Sequence, residues 1–179
     1  MITMTSWKER TAYVFIRTEG KYTENVWKKV QKWEESIGAW IVTGDWDVLL
    51  WIDTQNLDRV YKKVTELRKW DGVIATSTHF VYEGLKNGTT WWSQPCGAWV
   101  LVRDRTLNGN LESIAKQKYV VSVASAPGQW DYIVWVNGSS WDEVLENTWA
   151  LHTKGYQTLT KIPQKSWWNP AWQNKSWWE

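Results

Sequence analysis

The chain has 179 residues, 43% of them hydrophobic and 22% charged, which is enough apolar material for one ordinary domain or two small ones and excludes wholesale disorder. A formal net charge of +2 does not by itself indicate a nucleic-acid-binding surface. Cys96 is the only cysteine and the two histidines, His79 and His152, are far apart, so we predict no disulfide, no metal site and no cofactor. The first ten residues resemble no signal peptide and no run approaches the length of a membrane span, which favours a cytoplasmic protein with no membrane contact.

Tryptophan is the outstanding feature of the composition, with 19 tryptophans against two phenylalanines. A tryptophan ring buries a large area and needs one partner for its N–H. Core filling therefore explains some of the tryptophans, and the positions of the others call for a second explanation.

Three sequence blocks occur twice in the same order, which indicates that the chain is a tandem duplication. The first copy carries them at residues 12–17 (AYVFIR), 44–52 (GDWDVLLWI) and 76–78 (TST). The second copy carries them at residues 98–103 (AWVLVR), 128–136 (GQWDYIVWV) and 158–160 (TLT). The glycine, the Trp-Asp pair and the second tryptophan of the longest block keep identical offsets.

The first copy reads as strand, helix, strand, strand, helix, strand. The predicted elements are a strand at 12–18, a helix at 23–36, strands at 39–43 and 46–53, a helix built on Leu57, Val60, Tyr61, Val64 and Leu67, and a strand at 73–82. The second copy repeats this order, with a shorter first helix near 111–117 and a capping box, Ser140-x-x-Glu143, that opens its second helix.

This order is that of the ferredoxin-like βαββαβ unit, an antiparallel sheet with two helices on one face. In residues 46–53, and again in 130–137, apolar side chains fall on both faces of the third strand. Because the helices cover only one face, the other face is expected to meet a second sheet. We therefore predict an α+β protein of two such units in tandem, of the dimeric α+β barrel or sandwich type, with an extended Trp-rich tail.

The first strand, the G-x-aromatic-D turn and the T-x-T fourth strand resemble the ligand-binding, oligomerising domain of the leucine-responsive regulator/AsnC family. The resemblance covers residues 11–83 well and 97–163 more loosely. The duplication and the segments outside it predict a first domain at 1–84, a linker at 85–96, a second domain at 97–163 and a tail at 164–179. Only ten residues precede the first strand, so we expect no helix-turn-helix and no specific DNA binding.

The resemblance also implies homo-oligomers that hold a small effector, commonly an amino acid, near the turn and the T-x-T strand. The matching positions are Gly44, Asp45, Trp46, Asp47, Thr76 and Thr78 in the first copy, and Gly128, Gln129, Trp130, Asp131, Thr158 and Thr160 in the second. Turn amides suit a carboxylate and an aspartate suits an ammonium. A purely structural interpretation stays open, since glycine permits positive φ, aspartate bonds turn amides and threonine favours strands.

The tail repeats Lys-Ser-Trp-Trp and concentrates five tryptophans, Trp167, Trp168, Trp172, Trp177 and Trp178. Five such rings in a short polar segment are not expected to lie free in water. They either pack over their own domain or anchor a neighbouring subunit, and we predict the second, an assembly role.

Taken together, the sequence predicts a non-enzymatic, oligomerising protein that senses a small effector such as an amino acid or scaffolds a partner protein. One alternative is a structural self-assembling subunit of a filament or shell, held by tryptophan contacts. A second alternative is a heme-type or other small-molecule enzyme on the same fold, with His79 as a candidate axial ligand.

Overall fold

The computed structural model describes residues 5–8, 10–87, 94–104 and 111–173. The chain forms two compact units. Within the described residues, the first unit comprises 10–80 and 163–173, and the second comprises 5–8, 81–87, 94–104 and 111–162. Each unit therefore contains one repeat and one segment from an end of the described chain.

Eleven strands and five α-helices make up the described part of the two units. In chain order they are β1 Thr5–Lys8, β2 Thr11–Thr18, α1 Thr23–Val30, β3 Ser36–Val42, β4 Val48–Asp53, α2 Leu57–Leu67, β5 Val73–Phe80, β6 Glu83–Lys86, β7 Cys96–Arg103, α3 Leu111–Ala115, β8 Val120–Ser125, β9 Tyr132–Gly138, α4 Trp141–Thr153, β10 Gln157–Lys161, β11 Pro163–Trp168 and α5 Pro170–Gln173. None of the helices that the structure describes is long and apolar enough to cross a membrane.

Each unit is built on one antiparallel sheet. The order is β11-β3-β4-β2-β5 in the first unit and β1-β6-β8-β9-β7-β10 in the second. In both sheets the four strands of the repeat lie in the order second, third, first, fourth, which is the ferredoxin-like arrangement. The predicted fold class, two α+β units of this type in tandem, is confirmed.

The helices of each unit cover one face of its sheet. In the first unit Val14, Val48 and Leu50 pack with Val26 and Val30 of α1 and with the buried face of α2. The opposite face is also buried, because alternate residues of a strand point to opposite sides and every residue of β4 is buried. Six of the seven residues of β9 are buried as well.

Aromatic rings fill this second face in both units. Trp51 stacks on Tyr13 in the first unit, with centroids 5.5 Å apart. Trp135 and Trp99, at the equivalent repeat positions, have centroids 4.9 Å apart in the second. Trp135 lies over Gly97, where any Cβ would collide with the indole, so a missing side chain on one strand makes room for the ring.

The first helix is shorter than its periodicity predicts. It ends at Val30, whose carbonyl accepts a hydrogen bond from the Ser36 hydroxyl at 2.5 Å. Ser36, the last residue of the predicted helix, begins β3 instead, and Ile37 follows it in that strand. A run of apolar residues at helical spacing continued by chance into the next strand.

The segment after the second repeat folds onto the first unit. β11 pairs with β3, with Trp168 opposite Gly38, and the Trp168 ring meets Trp40 edge-to-face at 4.9 Å. Trp172 is buried, and its indole nitrogen donates to the Glu34 carbonyl at 3.3 Å. The backbone of Trp167 pairs with Ala39, and its side chain packs against the first-unit core.

The sequence left two possibilities for these tryptophans, packing on their own chain or contact with a neighbouring subunit. The arrangement described here is the first of the two. The contact of Trp167, Trp168 and Trp172 with another chain stays a prediction. The other two predicted anchors, Trp177 and Trp178, lie outside the described residues.

Candidate functional site

The G-x-aromatic-D turn of the first unit is tied to the end of β2. Gly44 has φ 108°, a left-handed conformation that favours glycine. The Asp47 carboxylate accepts from the Thr18 backbone N–H at 2.8 Å. Arg17 donates from Nε to the Asp45 carbonyl at 2.9 Å, and its guanidinium carbon lies 4.7 Å from the Trp46 ring centroid.

The turn that begins at Gly128 in the second unit repeats these contacts. The Asp131 carboxylate accepts from the Asp104 N–H at 2.8 Å. Arg103 donates from Nη2 to the Gln129 carbonyl at 2.7 Å, and its guanidinium carbon lies 5.2 Å from the Trp130 centroid. Two sequences that differ at the second turn position thus build one set of contacts, which supports a structural role for the turn.

The two threonines of the first T-x-T strand lie on the helix side of the sheet. Thr76 and Thr78 pair with Ile16 and Val14 of β2, whose side chains belong to the helix-side core. The Thr76 hydroxyl accepts from Arg68 Nε at 2.9 Å, at the C-terminal end of α2.

Trp46 lies on the other side of this sheet, with its ring centroid 6.2 Å from that of Phe15. The structure therefore divides the predicted ligand residues of the first unit between two faces: Thr76 and Thr78 face α2, and Trp46 does not. The physical reason is the two-residue period of a strand, which sends Val14 and Phe15 to opposite faces.

A groove of 360 Å³ runs between α2 and β5. Its residues are Leu57, Val60, Tyr61, Val64, Thr65, Arg68, Thr78 and Phe80. The walls are mostly apolar, while Arg68, held by Thr76, supplies a guanidinium. Thr78 is the one residue of this groove that the motif predicted.

Arg68, Tyr61 and Phe80 were not among the candidate site residues predicted from the sequence. The sequence did contain a signal for the groove. Besides Val60 and Leu67, which are buried, α2 carries apolar residues that lie outside the core. Leu57 and Tyr61 are 58% and 73% exposed, although both fit the helical pattern that was read as core.

The second unit has a histidine where the first has the arginine. Thr158 corresponds to Thr76, and its hydroxyl lies 3.3 Å from His152 Nδ1. The His152 side chain is exposed and stacks on Trp149 with centroids 5.2 Å apart. Thr160 pairs with Val100 and so lies on the helix side, like Thr78. The threonines of the T-x-T strand therefore lie on the helix side in both units. The side chain beside the first threonine is an arginine in the first unit and a histidine in the second.

His79 lies on the face of β5 away from α2. Its ring meets Phe15 edge-to-face at 5.3 Å, and Nε2 lies 3.0 Å from the Ser77 hydroxyl. Burial lowers the pKa of the imidazole, which keeps the ring neutral at neutral pH. Lys161, at the equivalent position of the second unit, is fully buried.

A second, polar cavity of 650 Å³ lies beside the C-terminal segment of the first unit and includes Trp172. Glu35 lines it and forms ion pairs with Arg59 at 2.8 Å and Lys63 at 2.5 Å. Burial raises the pKa of Glu35, but the Lys63 hydrogen bond and the positive charge of Arg59 outweigh burial and lower it. Across the described ranges, no group of three His, Cys, Asp or Glu side chains is arranged to hold a metal ion.

Comparisons with known proteins agree with this fold. Residues 11–91 match the family model described as the Lrp/AsnC ligand binding domain. No curated protein matches the chain. A hypothetical protein of Pyrococcus horikoshii is 26% identical over 40% of this chain and 87% of its own, with a TM-score of 0.37.

Two solved structures are similar over most of the chain. The siroheme decarboxylase NirDL has a TM-score of 0.66 and 7% identity, covering 91% of this chain and 75% of its own. A heme-binding protein from Thermus thermophilus has a TM-score of 0.51 and 10% identity, covering 91% of this chain and 94% of its own. At these identities the similarity establishes a common fold.

The prediction that the chain is not an enzyme is contradicted, because a decarboxylase has this fold over 91% of the chain. Residues 11–91 match the model of the Lrp/AsnC ligand binding domain, and the second unit repeats the order of strands and helices of the first.

Proposed function

We propose that the first unit binds a small amphipathic carboxylic acid, of the class of the hydrophobic amino acids, in the groove between α2 and β5. The observation that carries this proposal is the position of Arg68, whose guanidinium is held against the Thr76 hydroxyl at one end of a mostly apolar groove. The match of residues 11–91 to a ligand-binding domain supports it.

The chemistry of the groove fits the two parts of such a ligand. A guanidinium presents several N–H donors in a fork that suits a carboxylate, and the Thr78 hydroxyl adds a further donor. Leu57, Val60 and Phe80 offer apolar surface to a hydrocarbon side chain. A volume of 360 Å³ lies at the lower end of the range for small-molecule sites, so it favours one amino acid over a large cofactor.

The turn residues have a different part in this proposal from the one that the motif predicted. Asp47, which suits an ammonium group, already accepts a backbone hydrogen bond from Thr18. We assign carboxylate recognition to Arg68 and Thr78 in place of the turn amides. Direct ligand contacts from Gly44 to Asp47, and from their counterparts in the second unit, stay predictions.

Calorimetry on the full chain tests the site with leucine, phenylalanine and glycine as probes. Leucine and phenylalanine are expected to release heat, and glycine, which lacks a hydrocarbon side chain, is expected to bind much more weakly. Arg68→Gln removes the charged donor and should weaken leucine binding by about tenfold or more. Lys69→Gln is the matched control, since it removes a neighbouring positive charge outside the groove. If the unmutated protein shows no heat with any probe, or Lys69→Gln weakens binding as much as Arg68→Gln, the proposal fails.

A second candidate function is tetrapyrrole binding. Two observations favour it: the fold shared with siroheme decarboxylase and with a heme-binding protein over 91% of the chain, and His79, whose lowered pKa gives the neutral imidazole that iron ligation requires. His79 lines neither the groove nor the polar cavity. The case for iron ligation in this chain therefore depends on this one side chain.

Absorbance titration with hemin and with iron uroporphyrin III tests this candidate. Saturable binding with a shifted Soret band is expected for the unmutated chain, and His79→Ala should change the position of that band. His152→Ala is the control, because that histidine is exposed and lies in the other unit. A spectrum that stays that of free tetrapyrrole, or a shifted band that survives His79→Ala unchanged, excludes ligation by His79.

A further inference from the structure

Exposed hydrophobic side chains are concentrated on two surfaces of the molecule. Of the eight large hydrophobic side chains that are exposed in the described parts of the chain, six lie on one or the other. The α2–β5 face carries Leu57, Tyr61 and Phe80, and the α4 face carries Trp141, Leu145 and Trp149. Clusters of this kind are typical of interaction surfaces.

The two faces occupy equivalent positions in the two repeats. Leu57 and Trp141 both begin the second helix of their unit, and Tyr61 and Leu145 both follow one turn later. Each helix lies beside a terminal strand of its sheet: within the described residues β5 pairs only with β2, and β10 only with β7. The sequence of β5, VIATSTHF, contains none of the lysine, glutamate or proline residues that usually protect an open edge.

The opposite edges of the sheets are covered differently. There the terminal strands are β11 in the first unit and β1 in the second, each contributed by the chain's own end segments. One edge of each sheet is therefore extended by the chain itself, and the strand at the edge beside the exposed hydrophobic face has no second partner strand among the described residues.

The two faces carry opposite charges next to their central hydrophobic residue, Tyr61 in one and Leu145 in the other. Lys62 directly follows Tyr61 on α2, and exposed Arg68 and Lys69 follow the end of this helix. Glu146 directly follows Leu145 on α4, a helix that contains three carboxylates and neither lysine nor arginine. Lys62 and Glu146 occupy the same repeat position, so the sign of the charge is reversed there, whereas Asp58 and Asp142, at another shared position, carry the same sign.

We propose that the α2–β5 face of one molecule docks on the α4 face of a second copy of this chain, with Lys62 near Glu146. Contact between like faces would oppose lysine to lysine or glutamate to glutamate, which is repulsive. Because the two docking faces are different surfaces of one chain, the contact either closes reciprocally between two copies or repeats head to tail as a ring or an open filament. This inference goes beyond the ligand site proposed above, and its test contains no ligand.

Sedimentation of the full chain with reversed charges tests the pairing. The unmutated chain is expected to sediment as an assembly larger than its 21.2 kDa mass. Lys62→Glu and Glu146→Lys should each raise the dissociation constant by about tenfold or more. The double variant Lys62→Glu/Glu146→Lys should restore assembly, and so should a mixture of the two single variants. Lys118→Glu is the matched control, a charge reversal at an exposed loop residue of the second unit.

Several outcomes would overturn the inference. The unmutated chain could remain a monomer at its highest soluble concentration, or the single reversals could leave the mass unchanged. Failure of the double variant to recover, with far-ultraviolet circular dichroism showing it folded, would also refute the pairing of Lys62 with Glu146. A monomer that binds leucine refutes docking alone. Because Leu57, Tyr61 and Phe80 also line the groove, the ligand site is judged on the dissociated Lys62→Glu variant, and absence of binding to every amino-acid probe there refutes the ligand site alone.

Discussion

The two repeats have the same structure at the G-x-W-D turn and differ at the end of their second helix. Their turns are built alike: Asp47 and Asp131 each accept a backbone N–H at 2.8 Å. The ends of their second helices differ, since Arg68 donates to Thr76 in one unit and His152 lies beside Thr158 in the other. Contacts present in both units hold the shared fold, and the residues that differ include Arg68, on which the proposed ligand site depends.

Removal of a core tryptophan should have the largest effect, and it should be similar in both repeats. Trp51 is fully buried and Trp135 is 6% exposed, whereas Trp149 is 65% exposed. Trp51→Ala and Trp135→Ala should each lower the free energy of unfolding by about 3–5 kcal/mol, since each leaves a large cavity. Trp149→Ala should stay within about 0.5 kcal/mol. Urea unfolding followed by far-ultraviolet circular dichroism gives these values, and a large loss for Trp149→Ala would contradict the distinction between core and surface tryptophans.

Much of the fold was predictable because the evidence for it is local. The alternation of apolar residues and the repeated G-x-W-D turn predict both βαββαβ units and the solvent-free faces of β4 and β9. Pairing between distant segments was not predictable. Nothing near Trp168 in sequence indicates that it pairs opposite Gly38, since that register depends on a glycine more than a hundred residues away.

The candidate site was predictable only in part. The T-x-T motif identified Thr78, but a motif states which residues are near in sequence and not which face each side chain takes. The two-residue period of β5 places Thr76 and Thr78 beside α2, and the fold of α2 brings Arg68 to them. Tryptophan composition had the same limit, because it does not distinguish Trp51 in the core from Trp149 on the surface.

The shared turn should contribute to stability in both repeats. Asp47→Ala and Asp131→Ala each leave a partly buried N–H without its charged acceptor, at a cost of about 1–3 kcal/mol. Asp47→Asn and Asp131→Asn retain an acceptor oxygen and should recover part of the loss. Unfolding curves for the four variants measure this. A loss in leucine binding with unchanged stability for Asp47→Ala would instead assign the carboxylate to the ligand.

The starts of the second helices give a smaller, matched comparison. Asn56 accepts from the Arg59 N–H at 3.1 Å, and the Ser140 hydroxyl accepts from the Glu143 N–H at 3.2 Å. Asn56→Ala and Ser140→Ala should each lower the free energy of unfolding by about 1 kcal/mol. Asn56→Asp and Ser140→Asp are the controls, because aspartate preserves a capping oxygen, and urea midpoints should return close to those of the unmutated chain.

The smallest expected effect is a pH dependence of the free energy of unfolding that arises from His79. It concerns the first unit, because the second unit has Lys161 at the equivalent position. Burial lowers the pKa of its imidazole below the value of about 6.5 expected in the unfolded chain. As pH falls below that unfolded value, the unfolded state takes up a proton that the folded state resists, so stability decreases toward the folded pKa. Glu35 also has a lowered pKa and adds a loss at lower pH, but it is present in both proteins to be compared. His79→Gln should therefore flatten the change in unfolding free energy between about pH 8 and pH 5. A variant whose stability falls as steeply as that of the unmutated chain would show that His79 titrates alike in both states.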